Sequence, residues 1–187
     1  MTNFGAVDGN EWPRIVLLLS GLGQDGGRVT GLDRLNYKLE VAKCTNRIKP
    51  DTLIQRRSWR VNAFDIAQTL DELGAEHCEY TLIGFSKGGA TADAVADELW
   101  ALGRATERGF LIDPVGWLGF GTEMEGSIGF NNLWSWTQET GYPFGSPIVA
   151  NARTTHRLKQ SGCQKRHTEM DDLSEIHYII LQELCNG

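Results

Sequence analysis

Apolar and polar positions fall into blocks that alternate between two periods. Arg14-Ile15-Val16-Leu17-Leu18-Leu19 is a continuous apolar run, the pattern of a strand covered on both faces. It ends in a glycine-rich loop, Ser20-Gly21-Leu22-Gly23-Gln24-Asp25-Gly26-Gly27, and a helix is expected from Leu32 to Val41. Thr52 to Arg56 reads as a second strand behind Pro50-Asp51. Ala63, Ile66, Ala67, Leu70 and Leu73 then share one helical face, with Gly74 where a left-handed cap would close it. Tyr80 to Ile83 is the third strand and stops at Gly84; a helix follows from Gly88 to Leu102, with Val95, Leu99 and Leu102 inward and Gly103 as its stop. Gly109 to Ile112 is the fourth strand, ending at Asp113-Pro114. From Gly116 to Pro147 the periodicity dissolves, apart from one strand at Asn132 to Trp136. The last helix is expected from Asp171-Asp172, with Glu175 at capping-box spacing and Leu173, Ile176, Ile180 and Leu184 inward.

Strand and helix in repeated alternation imply right-handed βαβ crossovers. The expected fold class is α/β: a three-layer α/β/α sandwich with a mainly parallel sheet of about five strands. Residues 1–187 read as a single domain, with 117–147 as an irregular lid or rim segment. In open sheets of this kind, ligands and chemistry collect at the carboxyl ends of the strands.

Composition narrows the function classes. Of 187 residues, 41% are hydrophobic and 22% charged, as in ordinary soluble proteins. The formal charge of −6 argues against a nucleic-acid partner, which would need a basic face. The longest aliphatic run, Ile15 to Leu19, is far too short to span a bilayer. Met1 to Asp8 has neither the basic start nor the apolar segment of a secretory signal, so a cytoplasmic location is expected. Cys44, Cys78, Cys163 and Cys185 show no zinc-like spacing; they are expected to be free thiols, mostly in or near the core, with no metal bound.

Between the third strand and the following helix lies Gly84-Phe85-Ser86-Lys87-Gly88, a G-x-S-x-G pattern. A serine on a sharp strand-to-helix turn leaves no room for side chains two residues away on either side, and glycines at those positions remove them. Such a turn lifts the Ser86 hydroxyl clear of the sheet and sets the Lys87 amide at a helix N-terminus, where a negative oxygen is stabilised. The plainer alternative is a glycine-rich turn with Ser86 as an ordinary N-cap.

Strand, Gly-Phe-Ser-Lys-Gly-Gly, then helix resembles the nucleophile elbow of the α/β-hydrolase superfamily, and the order of elements is similar from Arg14 to Leu184. The resemblance implies a minimal, cutinase- or lipase-like serine hydrolase without a cap domain. It would cleave carboxylic or thio esters of small molecules through an acyl-enzyme, with no cofactor. It implies an oxyanion hole built from the amides of Lys87 and Leu22, or Gly23 in place of Leu22. Ser20-Gly21-Leu22-Gly23 stands where many members carry His-Gly-x-Gly. The family order of serine, acid, histidine offers Asp113, in a turn similar to the Leu-Asp-Pro-Ala turn of pancreatic-type lipases, with Glu139 as rival. For the base it offers His167, in a polar loop before the last helix, with His156 second. His77 precedes its strand and His177 falls inside the last helix.

Trp117, Trp134 and Trp136, in the glycine-rich segment, are candidates for an apolar wall against an acyl chain, or for plain core. Two other function classes remain: a non-catalytic binding protein on the same fold, and a nucleotide-binding domain. For the latter, Gly21-x-Gly23-x-x-Gly26 supplies the glycines and Arg56-Arg57 an anion partner, although no helix opens directly at Gly26.

Overall fold

The first apolar run forms β1 (Trp12–Ser20), and five further strands pair around it in a single sheet. The computed structural model describes residues 11–26, 28–116, 123–138, 145–149 and 158–186. In chain order, β1 is followed by α1 (Gly31–Cys44), β2 (Thr52–Ser58), α2 (Ala63–Leu73), β3 (Gly74–Phe85), α3 (Lys87–Ala101) and β4 (Thr106–Ile112). Then come β5 (Met124–Glu125), β6 (Phe130–Gln138), β7 (Ile148–Val149), β8 (Leu158–Cys163), α4 (His167–Met170) and α5 (Ser174–Cys185). The protein is therefore α/β, with strand order β2-β1-β3-β4-β6-β8 and every neighbouring pair parallel; β5 and β7 form a separate two-stranded sheet.

Alternation along the strands sends side chains to opposite faces, and each face is covered by helices. Ile15, Leu17, Leu82 and Leu111 pack with Ile66 and Leu70 of α2 and Val95 and Leu99 of α3. Val16, Leu18, Ile83 and Phe110 pack with Leu35 and Leu39 of α1 and Ile176 and Ile180 of α5. The register brings the carboxyl ends level: Ser20 pairs with Ser58, Leu19 with Gly84, Phe85 with Ile112, and Ile112 with Trp136. After β2 the chain crosses back to the other side of β1, so the β1–β3 junction is the switch point where an open sheet leaves a crevice.

The structure corrects several sequence expectations. Among the described residues the main sheet has six strands; the addition is the edge strand β8, whose sequence Leu-Lys-Gln-Ser-Gly-Cys carries no apolar run. Gly74 is extended (φ −84°, ψ 136°) and opens β3 instead of capping α2 in a left-handed turn. The capping box expected at Asp172 and Glu175 does not form: α5 starts at Ser174 after Leu173, while Asp172 pairs with Arg34 of α1. The four thiols are free; Cys44 is exposed, and Cys78, Cys163 and Cys185 are half-buried. Among the described residues, no helix is long and apolar enough to cross a membrane.

Candidate active site

Ser86 sits between β3 and α3 with φ 56° and ψ −124°, a conformation that side chains other than glycine rarely adopt. Crowding explains the flanking glycines. A Cβ at position 84 would lie 2.6 Å from the Gly88 carbonyl carbon, and one at position 88 would lie 2.6 Å from the Ser20 carbonyl oxygen and closer still to that of Leu19. The turn is fixed by its backbone: the Ser86 N–H donates to the Ile112 carbonyl (3.0 Å), and the Ser86 carbonyl accepts from the N–H groups of Gly89 and Val115 (both 2.9 Å). The Ser86 side chain makes no N-cap hydrogen bond to α3, so the ordinary capping reading does not describe it.

The hydroxyl is instead paired with an imidazole. His167 Nε2 lies 2.8 Å from Ser86 Oγ, and His167 Nδ1 lies 2.6 Å from Asp113 Oδ2. Because the carboxylate can only accept, Nδ1 carries the proton and donates to it; Nε2 is then the acceptor for the serine hydroxyl. His167 opens α4, and its ring stacks on Phe85 with centroids 4.9 Å apart. Asp113 follows β4 with φ 44° and is fully buried; its Oδ1 accepts from the Gln138 N–H at 2.9 Å. Three groups from three separate segments thus form one hydrogen-bonded row, the arrangement that passes a proton from a hydroxyl to an imidazole and supports the resulting charge.

Beside this row runs the loop after β1. A Cβ on Gly21 would stand 2.8 Å from Ser86 Cβ, so this backbone lies directly against the serine. The Gly21 carbonyl accepts from the Gln24 N–H (3.2 Å), and the Gly21 N–H donates to Gln24 Oε1 (2.9 Å). Ser20 donates to Asp25 Oδ1 (2.6 Å), and Ser58 donates to Asp25 Oδ2 (2.7 Å). Burial opposes the Asp25 charge, but these two hydroxyls with Arg56 and Arg60 outweigh it and lower its pKa. Lys87 opens α3 and donates from Nζ to the Gly116 carbonyl at 2.6 Å; partial burial lowers its pKa. An open cleft of about 330 Å³ runs from His167 past Phe85, Leu22 and Val29 to Arg34.

No protein-family model matches this chain, and no curated protein matches it either.

Of the sequence candidates, the structure brings Ser86, His167 and Asp113 together and sets the Leu22 loop and Lys87 beside them. Glu139, His156 and Trp117 lie outside the described residues. Trp134 and Trp136 are not a substrate wall: both rings are buried and stack on Phe110, at 4.8 and 6.4 Å, within the cluster under α1 and α5. The alternation of β6 sends these two residues to the packed face of the sheet, so they are core. The apolar surface of the cleft beside His167 comes instead from Leu22 and Val29, 58% and 70% exposed. His177 is buried in α5 and close to Lys38; its Nε2 donates to the Asp171 carbonyl (2.6 Å), and burial lowers its pKa.

The nucleotide fingerprint fails at the helix that a phosphate would need. α1 opens only at Gly31, behind a Thr30–Asp33 capping box, and the Leu32 N–H already donates to Asp171 Oδ2 (3.2 Å). Arg56 is paired with Asp33 at 2.8 Å. Among the described residues, no group of three or more histidines, cysteines or carboxylates could hold a metal ion. Sequence reasoning missed Gln24 and Asp171, which tie the segments of the site to one another. Both sit in polar stretches with no motif to single them out.

Proposed function

We propose that the chain is a serine hydrolase of the α/β-hydrolase superfamily, a small cutinase- or lipase-like esterase on a three-layer α/β/α sandwich. The observation that carries this reading is the row from Ser86 Oγ through His167 to Asp113 Oδ2, with spacings of 2.8 and 2.6 Å. Ser86 Oγ attacks the acyl carbon as His167 Nε2 takes its proton, and Asp113 holds the imidazole in the required tautomer and stabilises the imidazolium. The carbonyl oxygen becomes an oxyanion facing the amides of Leu22 and Lys87. The tetrahedral intermediate collapses as His167 returns the proton to the departing alcohol or thiol, leaving an ester on Ser86. Water, deprotonated by His167, then attacks that ester; the acid leaves and the serine recovers its proton.

The cleft favours a small ester whose apolar part lies on Leu22 and Val29. The test is active-site labelling. A fluorophosphonate probe is expected to modify Ser86 stoichiometrically, and Ser86→Ala to lower ester turnover at least about a thousandfold with melting unchanged. A folded chain that takes no probe would be a binding protein on this fold. Full ester turnover by Ser86→Ala would remove the serine from the mechanism.

A further inference from the structure

Gln24 lies between the two loops that the proposed reaction must hold in register. Its Oε1 accepts from the Gly21 N–H at 2.9 Å, its own N–H donates to the Gly21 carbonyl at 3.2 Å, and its Nε2 donates to Asp171 Oδ2 at 2.6 Å. Asp171 is the C-cap of α4, the short helix that His167 opens. It is buried; burial raises its pKa, partly offset by Gln24 and by the Leu32 and Gly31 amides that it also accepts from. One glutamine therefore bonds at one end to the backbone beside Ser86 and at the other to the segment that carries the imidazole.

Peptide planarity turns this clamp into an orientation. The Gly21 carbonyl and the Leu22 N–H belong to one rigid unit and point in opposite directions across it. With the carbonyl directed into the turn toward Gln24, the Leu22 N–H must point out of it. The Gly21 N–H, on the other side of the residue, is held by the Gln24 side chain. Both peptide planes around Gly21 are thereby fixed, and Gly21 is the residue packed against Ser86.

We infer that the Gln24 side chain is a positioning group of the active site: it fixes the Ser20–Gly21 peptide, one residue before the Leu22 amide, and couples it, through Asp171, to the segment holding His167. This rests on the serine-hydrolase reading above. It adds that the oxyanion donor and the base are set jointly through the Gln24–Asp171 bond.

The experiment compares Gln24→Met, which keeps the length and loses both side-chain bonds, with Asp171→Ala, Asp171→Asn and the double variant Gln24→Met/Asp171→Ala. Turnover of p-nitrophenyl butyrate is expressed per serine titrated by a fluorophosphonate, so unfolded protein does not count. Gln24→Met and Asp171→Ala are each expected to lower kcat about 10- to 100-fold, part of what a lost oxyanion donor costs, with KM within about twofold. Asp171→Asn, which keeps an acceptor oxygen for Gln24, should stay within about threefold of wild type. The double variant should be little worse than the single ones, because both cut the same link. A Gln24→Met enzyme with kcat per titrated serine within about twofold of wild type overturns the inference, and so do losses that simply multiply. A wild-type chain that neither takes the probe nor hydrolyses the ester overturns the hydrolase reading itself, which separates the two failures.

Discussion

Gly88→Ala tests whether the serine turn is held by the close approach of α3 to β1. The new Cβ would stand 2.6 Å from the Ser20 carbonyl oxygen and nearer to that of Leu19, where ordinary contact begins at 3.4 Å. Neither oxygen can swing aside, because both belong to the backbone of a strand paired with β2 and β3. Relief needs a shift of about 1 Å or more in the start of α3, and overpacking of this kind costs about 3 kcal/mol, the upper end of the usual range. For a chain of this size that corresponds to a drop of about 6–12 °C in Tm. The same shift would carry Ser86 away from His167, now at 2.8 Å, and misplacement on that scale lowers turnover about a hundredfold. Gly26→Ala is the control: its Cβ would find its nearest neighbour at 3.8 Å, and Tm should move by no more than about 2 °C. Melting by circular dichroism and ester turnover per folded molecule are the two readouts. If Gly88→Ala melts and turns over like wild type, the crowding argument for the elbow is wrong.

Asp113→Asn would turn an amide N–H toward His167 Nδ1 and force the proton onto Nε2, so kcat should fall about ten-thousandfold with little change in KM, measured on the same ester. Asp93, buried on α3, accepts from the Ser127 N–H at 2.8 Å; burial pushes its carboxyl up to about 7, and the nearby charges of Asp97 and Glu125 add to that. Its folded-state value lies above its ordinary one of 3.8, so the folded chain binds the extra proton and loses stability as pH rises between roughly 4 and 7. Asp93→Asn should therefore raise Tm at pH 8, with the gap closing by pH 4, in melting curves across that range. Esters of four to eight carbons should outperform acetate if Leu22 and Val29 bind the acyl chain, and Leu22→Ser with Val29→Ser should flatten that preference.

What was legible in the sequence followed the apolar runs. β1, β4, α2 and most of α3 bury continuous or periodic faces and could be placed from them. Of β3 only the apolar half from Tyr80 was legible, because Glu76 and His77 are exposed, and Leu102, expected inward, is exposed past the end of α3. β8 could not, because an edge strand is covered on fewer sides and its polar residues carry no period. The start of α5 misled for a related reason: the Asp172–Glu175 spacing fits a local cap, but Arg34 of α1 takes Asp172. The same limit applies at the site. Ser86 and Asp113 sit just past apolar strands, where the sheet directs chemistry, whereas Gln24 and Asp171 act through a contact across 147 positions of sequence. Trp134 and Trp136 show the converse, since composition placed them in a loop-rich region and only the face of β6 they occupy tells core from rim.

The two strained residues of the site hold each other. Ser86 and Asp113 both have positive φ, a conformation that costs about 1–3 kcal/mol apiece and persists only where the surroundings over-determine it. The bonds that fix the serine turn come from either side of the acid: its N–H goes to Ile112, and its carbonyl accepts from Val115. The acid turn is fixed in the same way by the next strand, with the Asp113 N–H donating to Trp136 at 2.6 Å and Oδ1 accepting from the Gln138 N–H. The end of β6 therefore supplies backbone partners to the carboxylate after β4. A carboxylate in the place of Asp113 has its backbone and one oxygen fixed before the histidine arrives, leaving Oδ2 alone to orient the ring. That is why the acid can stand directly after β4: the sheet edge that strains the serine also aims the carboxylate.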